Sequence, residues 1–181
     1  MKWQPFIIIG LLIAAVLFTG CTDDEGIQPT DSVSVEPVLP GQELVLAGDV
    51  TGNGLAKGAL DTLDITVALA PGAKPVDMEK ISIVYADTIK TETLIPVEGY
   101  RGDPPQGCWG ILNVINEVGN SSNNRLEDKE QFVIRLNPRS YLPAKRMAII
   151  VVRPPSGATP LTIRRFAPPE IAAESNTLTP P

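Results

Sequence analysis

The side chains that most often carry out chemistry in proteins are sparse in this sequence of 181 residues. It contains no histidine, and so it lacks the commonest general base and the commonest metal ligand. Serines are present, but none stands in a glycine-flanked elbow of the kind that exposes a nucleophile. We therefore predict no catalytic residue, no cofactor-binding residue and no small-molecule substrate.

The segment Asp49–Gly54 is the strongest candidate for a metal site, because oxygen-bearing side chains alternate along it before a glycine. A calcium loop also needs a bidentate carboxylate at its twelfth position, where this sequence has Leu60, and Asp61 comes one residue late. The better interpretation is a hairpin turn with Asn53-Gly54 at its tip, and we predict no metal site.

One covalent modification is predicted inside the polar loop Gly119–Asn124. Asn120-Ser121-Ser122 has the sequence of an N-glycosylation acceptor, which must be exposed to be used. Asn120 is therefore a candidate glycosylation site on an exported protein. The mixed-charge segment Leu126–Glu130 that follows is interpreted as a solvated loop or helical turn.

The N-terminal segment has the layout of a signal peptide. Lys2 is the only charged side chain before Asp23, and an apolar stretch, Phe6–Phe18, lies between them and leads to Cys21. The small residues Thr19 and Gly20 before Cys21 fit the cleavage pocket of a signal peptidase. A cysteine directly after the cleavage site can take a lipid on its thiol. The segment resembles a lipoprotein signal with its lipobox, with Phe18 where such boxes usually carry Leu. We predict lipidation at Cys21.

Two other fates of this N-terminal segment stay open. Because residues 3–22 are uncharged, an uncleaved transmembrane helix is one alternative, although the apolar core is shorter than the roughly 20 residues of a typical span. Plain secretion is the other. If Cys21 carries a lipid, Cys108 has no partner in the chain and is either a small buried hydrophobe or half of an intermolecular disulfide.

The rest of the chain has the pattern of an all-β protein. Short runs of β-favouring residues end in Gly, Pro, Asn or Asp, and no convincing helical period follows Cys21. A parallel α/β sheet, which needs crossover helices, is excluded on that ground. The eight predicted strands are Glu43–Val50, Thr62–Leu69, Ile81–Tyr85, Thr91–Val97, Trp109–Val118, Gln131–Leu136, Met147–Val152 and Leu161–Phe166.

These strands predict an immunoglobulin-like antiparallel β-sandwich of about eight strands, preceded by an N-terminal apolar helix and a Pro-rich stalk. The predicted divisions are a signal peptide or membrane anchor at residues 1–20, a flexible stalk at 21–42, the sandwich at 43–171 and a loose tail at 172–181. In the last strand, one of Arg164 and Arg165 should face solvent and the other should face inward.

The charge balance excludes one class of partner. The chain has 15 basic and 21 acidic side chains, a formal net charge of −6, and no basic run. Affinity for nucleic acid comes chiefly from clustered Lys and Arg, so we predict no nucleic-acid partner.

Three stretches of the sequence resemble the globular part of archaeal flagellins, also called archaellins. They are LVLAGDVTGNG (Leu44–Gly54), DITVALAPGAKPVDMEKISIVY (Asp64–Tyr85) and RPPSGATPLTIRRFAPPEI (Arg153–Ile171). The resemblance implies an immunoglobulin-like domain displayed outside a filament core, and a structural role at the archaeal cell surface. The N-terminus departs from that family, because acids and prolines replace its long apolar helix.

Three functions therefore stay open at the level of the sequence. The first is a structural archaellin-like domain tethered to the outer face of the cytoplasmic membrane, with archaellum or surface-layer proteins as partners. The second is a filament subunit for motility. The third is a solute- or glycan-binding surface lipoprotein, although only 5% of the residues are aromatic.

Overall fold

The structure is a computed structural model, and it describes residues 37–55, 58–119 and 123–181. Within these ranges the chain forms thirteen strands and a single 3-10 helix, Met78–Lys80, which confirms the predicted all-β fold. The strands are β1 (Leu44–Leu46), β2 (Thr51–Leu55), β3 (Ala59–Leu69), β4 (Val76–Asp77), β5 (Ser82–Ala86), β6 (Thr91–Arg101), β7 (Cys108–Ile115), β8 (Arg125–Leu126), β9 (Gln131–Asn137), β10 (Leu142–Pro143), β11 (Met147–Arg153), β12 (Leu161–Phe166) and β13 (Ser175–Thr177).

Eleven of these strands form one sheet in the order β12-β11-β5-β6-β7-β9-β3-β2-β13, with β1 and β10 also pairing along β3. The sheet curls into two layers around a shared core. Strand β6 belongs to both layers, because Thr91–Leu94 pair with β5 and Ile95–Arg101 pair with β7. Strands β4 and β8 form a separate two-stranded sheet.

Side-chain alternation places the core between the layers. Along β9, Phe132, Ile134 and Leu136 are fully buried while the residues between them are partly exposed. Trp109 and Tyr85, from opposite layers, are the largest fully buried side chains. Each fully buried apolar side chain of this size contributes about 1.5–3 kcal/mol relative to exposure, so this period-2 pattern sets the register of the sheet.

All eight predicted strands overlap observed strands, but the structure adds β2, β4, β8, β10 and β13. The expectation of purely antiparallel pairing is wrong at one place, since β6 and β7 run parallel. This pairing arises where β6 passes from one layer to the other. It requires Gly110, because a Cβ there would strike the carbonyl oxygen of Gly102.

The predicted loose tail at 172–181 is also wrong, because it carries β13. This strand pairs with β2, and Leu178 directly after it is 2% exposed. The Leu178 N–H donates to the Val50 carbonyl at 2.9 Å. The tail therefore completes the edge of the larger layer and adds to the core.

Asn176 explains why a tail without strong β-formers holds its place. Its side chain is 7% exposed and satisfies all its polar atoms within the fold. The amide nitrogen donates to the carbonyls of Gly52, Ala172 and Glu174 at 3.3, 3.1 and 2.7 Å, and the amide oxygen accepts from the Ala172 N–H at 2.8 Å. These bonds fix a tight turn before β13.

The predicted hairpin tip at Asn53-Gly54 lies instead within β2. The strand continues to Leu55, which pairs with Ala59, and Asn53 and Gly54 form an irregularity in the ladder. Gly54 is needed there because the C-terminal segment passes so closely that a Cβ would strike the Ala172 carbonyl oxygen. The glycine therefore serves a close backbone approach, which its sequence neighbours do not reveal.

The predicted N-terminal helix at residues 1–20 and most of the predicted stalk at 21–42 lie outside the described residues. The last part of the stalk range, from Pro37, is described. Gln42 forms a parallel bridge with Thr159, whose N–H donates to the Gly41 carbonyl at 3.0 Å. This end of the stalk range is part of the folded domain.

Candidate interaction surface

The four-stranded layer of β12, β11, β5 and β6 presents an unusual solvent-facing side, which we call the outer face. Cross-strand pairing places Ile149 between Arg164 and Ala86, and Val151 between Thr162 and Val84. The pairing and alternation define the whole outer face as Phe166, Arg164 and Thr162 of β12, Met147, Ile149, Val151 and Arg153 of β11, Ala86, Val84 and Ser82 of β5, and Thr91, Thr93 and Ile95 of β6.

Strand β11 makes this outer face apolar. Its sequence MAIIVVR buries Ala148, Ile150 and Val152 against the core, and it leaves Met147, Ile149 and Val151 partly exposed on the other side. A half-buried antiparallel strand ordinarily alternates apolar with polar residues. Strand β11 is apolar on both sides, so the outer face has the composition of a surface that another apolar surface covers.

The outer face also differs from the rest of the chain in charge. Its only ionised side chains are Arg153 and Arg164, both exposed, and it carries no carboxylate. The whole chain has an excess of acidic residues, with a net charge of −6. The outer face is therefore an apolar surface with positive charge on a negatively charged protein.

A cleft of about 300 Å³ lies at the β12 side of this face. Thr162 and Arg164 line it together with Pro37, Leu39 and Pro181, so the first and last described residues meet here. Leu39 is 51% exposed and Phe166 is 37% exposed. The described part of the chain thus begins beside the outer face.

The larger cleft, of about 440 Å³, is polar and lies elsewhere. Its charged lining residues are Glu43, Lys74, Asp77, Lys80 and Arg125. Asp77 pairs with Lys80 at 2.6 Å, and the hydrogen bond from Lys80 is the main reason that the pKa of Asp77 is lowered. The lining contains no His or Cys. Its Ser156 hydroxyl donates to the Glu43 carboxylate at 2.6 Å, so the cleft is a polar, ion-paired surface.

Two partly buried ion pairs join strands to neighbouring parts of the chain, one between β3 and β9 and one between β6 and the segment after β9. Asp64 and Arg135 are direct cross-strand partners on β3 and β9 and form a bidentate pair with both contacts at 2.7 Å. Glu92, 8% exposed, accepts from the Arg139 backbone N–H at 2.7 Å and from its guanidinium at 2.9 Å. We interpret both pairs as structural, because the charged groups of each pair are hydrogen-bonded to each other.

The modification sites predicted at Cys21 and Asn120 lie outside the described residues and stay predictions. Cys108 is a free, partly buried thiol at the start of β7, and its two predicted roles, a small buried hydrophobe or half of an intermolecular disulfide, stay predictions. Its neighbour Trp109 is the buried residue, 1% exposed. The outer-face positions were missed by the sequence analysis, although the six-residue apolar run MAIIVV was the signal for them.

The predicted turn Asp49–Gly54 does not form a calcium loop in the structure, because Thr51–Leu55 are a strand. Among the described residues no three His, Cys, Asp or Glu side chains converge as metal ligands would. In the last long strand, Arg164 is exposed and Arg165 is 2% exposed, which confirms the predicted split. Arg165 donates to the Arg164 carbonyl at 2.8 Å.

The described part of the chain has no helix of the length and apolar character that a membrane crossing requires. No family model matches the sequence, and no curated protein matches it. Fold comparison, in contrast, gives matches among solved structures.

The crystal structure of archaeal flagellin FlaB1 from Methanocaldococcus jannaschii is similar over 75% of this chain and 95% of that one, with a TM-score of 0.59 and 16% identity. The archaeal flagellum of Methanospirillum hungatei strain JF1 is similar over 77% of this chain and 72% of that one, with a TM-score of 0.52 and 14% identity. The fold is thus archaellin-like, as the three sequence stretches indicated. At this identity the likeness concerns the fold alone.

Proposed function

We propose that this chain is a non-enzymatic structural protein of the archaeal cell surface, an archaellin-like domain tethered to the membrane and associated with the archaellum or the cell envelope. The observation that carries the proposal is the archaellin-like fold, which extends over three quarters of the chain.

The tether is proposed from the N-terminal segment. The apolar stretch Phe6–Phe18, ending before Cys21, supports export followed by lipidation of the cysteine thiol. Two lipid chains anchor a protein stably, whereas one is marginal, so a doubly lipidated Cys21 would hold the domain at the outer face of the cytoplasmic membrane. A retained helix is the alternative anchor and would leave the domain in the same place.

The location and partners can be tested in the native cell. A tagged chain should sediment with the membrane fraction, and capture from detergent-solubilised membranes should retain archaellum or surface-layer proteins, identified by mass spectrometry. The matched control is Cys21→Ser, which is expected to shift the chain to the medium if the anchor is the lipid. A membrane-bound chain that captures neither class of protein would contradict the proposed association.

Electron microscopy of the purified chain separates this proposal from the role of filament subunit. The tethered protein should give single particles, because acids and prolines occupy the region where archaellins carry their long polymerising helix. Filaments assembled from this chain alone would contradict the proposal and favour the filament role.

Glycosylation at Asn120 is proposed as a modification of the surface domain. It should appear as a mass shift on the tryptic peptide that contains Asn120 in protein from the native cell. The matched control is Ser122→Ala, which removes the acceptor sequence and should abolish the shift. An unshifted wild-type peptide would show that the acceptor is unused.

A further inference from the structure

We infer that the outer face of the four-stranded layer rests on the lipid surface to which the N-terminal segment tethers the protein. The inference deepens the proposed function and rests on the proposed tether. The occupant we assign is a bilayer surface with anionic headgroups.

The outer face is rich in apolar side chains. Seven of its positions, Phe166, Met147, Ile149, Val151, Ala86, Val84 and Ile95, are apolar. Ile95 is 57% exposed and no described segment covers it. Four strands at about 4.8 Å spacing and six residues at about 3.3 Å rise make the face roughly 14 by 20 Å. The apolar side chains of the outer face thus form a compact patch with exposed arginines beside it, and rimmed apolar patches of this kind are often interaction sites.

The outer face carries positive charge. The charged residues of the outer face are arginines at its edges, Arg164 on β12 and Arg153 at the end of β11. Basic side chains beside an apolar surface are attracted to anionic headgroups, while the apolar residues reach the acyl boundary. The carboxylates that give the chain its net charge of −6 lie elsewhere, so they do not repel the lipid surface at this contact.

The described chain begins at the edge of the outer face. Pro37 and Leu39, the described start of the domain, line the cleft beside Thr162 and Arg164, so the chain joins the domain at the edge of the outer face. Leu39, which is exposed and lines this cleft, adds an apolar side chain there. Fifteen residues lie between Cys21 and Pro37, and these sixteen residue-to-residue steps can span about 55 Å when extended, which is long enough for the outer face to reach the membrane surface.

The experiment uses the full chain with its native anchor, reconstituted into vesicles that carry a nitroxide-labelled lipid. A fluorophore is placed on Thr93→Cys, on the outer face, and on the control Asn113→Cys, in the opposite layer. Both are exposed strand positions. Both variants also carry Cys108→Ser, because Cys108 is a free thiol. Flotation of the vesicles reports tethering separately from the quenching.

On phosphatidylglycerol vesicles we expect the Thr93 label to be quenched at least threefold more than the Asn113 label. Adding Arg153→Gln and Arg164→Gln should bring the ratio close to one while flotation is retained. Phosphatidylcholine vesicles should give a smaller ratio for the unmodified arginines, because the anionic headgroups are absent.

Each contrary result has its own meaning. Floating vesicles with equal quenching of the two labels would overturn the inference and leave the tether intact. A chain that fails to float would overturn the tether and, with it, the inference. If the Thr93 label escapes lipid quenching but is protected from iodide only in native membranes, the face binds a protein and the lipid assignment is wrong.

Discussion

Phe166 and Thr179 exchange both of their backbone hydrogen bonds, at 2.7 Å from the Phe166 N–H and at 3.0 Å from the Thr179 N–H. Phe166 ends β12, at one end of the sheet order, and Thr179 follows β13, at the other end. The pair therefore joins the two edges of the curled sheet. This single bridge leaves less of the β12 edge open for pairing with another chain.

The first prediction concerns the C-terminal segment that makes this closure. Leu178 is 2% exposed, so Leu178→Ala should remove its core contacts and lower the free energy of unfolding by about 2–4 kcal/mol. The matched control is Thr177→Ala, exposed on the same segment, which should change it by less than about 0.5 kcal/mol. Urea unfolding, followed by tryptophan fluorescence, measures the free energy of unfolding of both variants. Equal losses in the two variants would mean that the C-terminal segment adds nothing to the core.

A second prediction tests the close approach of the same segment to β2. Gly54→Ala should lower the free energy of unfolding by about 1–3 kcal/mol, because the new Cβ meets the Ala172 carbonyl and the backbone must shift. Thr51→Ala, on the same strand and partly exposed, is the control and should have a smaller effect. A neutral Gly54→Ala variant would show that the C-terminal segment is not held against β2.

The third prediction concerns the bidentate pair between β3 and β9. Both carboxylate oxygens of Asp64 accept from the Nε and Nη2 edge of the Arg135 guanidinium, and this hydrogen bonding is the main reason that the pKa of Arg135 is raised. Arg135→Lys keeps the positive charge but cannot form the bidentate pair of hydrogen bonds with Asp64, so it should lower the free energy of unfolding by about 1–2 kcal/mol. The exposed control Lys129→Arg should leave the urea midpoint unchanged. A stable Arg135→Lys variant would show that charge alone suffices.

A fourth prediction follows from Asp87, which caps the turn between β5 and β6. Burial alone would raise its pKa, but donors at the Ile89 N–H, the Lys90 N–H and Ser140 Oγ outweigh burial and lower the pKa. Because the folded pKa lies below the unfolded value of about 3.9, the stabilisation is complete above that pH and is lost as the pH falls through the folded pKa.

Asp87→Asn should therefore lower the urea midpoint at pH 6, and this deficit should shrink as the pH falls below about 4, toward the lowered pKa at which the folded carboxylate is protonated. The measurement is urea unfolding at pH 6 and at pH 2.5. Asp128→Asn, an exposed carboxylate in another turn, is the control for general charge effects. A deficit that persists unchanged at pH 2.5 would contradict the assignment of the stabilisation to the ionised carboxylate.

The strands that could be predicted are those whose side chains alternate. Strand β9 alternates buried and partly exposed residues along its length, and its predicted range, Gln131–Leu136, differs from the observed strand by one residue. Strand β13 could not be found this way, because Ser175–Thr177 have little β-preference and are held by pairing with β2 and by the Asn176 side chain. Whether that segment forms a strand therefore depends on long-range hydrogen bonds, which the local sequence does not reveal.

Buried carboxylates were missed for a related reason. The segment Leu126–Glu130 was predicted to be solvated, yet Leu126 and Glu130 are 0% and 2% exposed. Glu130 accepts from the Val118 N–H at 2.6 Å and from the Glu127 N–H at 2.9 Å, so its charge is satisfied by backbone donors. The outer face escaped prediction because a continuous apolar run such as that of β11 does not tell whether its second side is covered.

The most direct test of the proposed role is mass spectrometry of the native N-terminus. The tethered surface protein predicts a first residue Cys21 with lipid on its thiol, in protein recovered from the membrane fraction. An N-terminal peptide that begins at unmodified Met1, or that begins at Cys21 with a free thiol, would contradict the lipid tether.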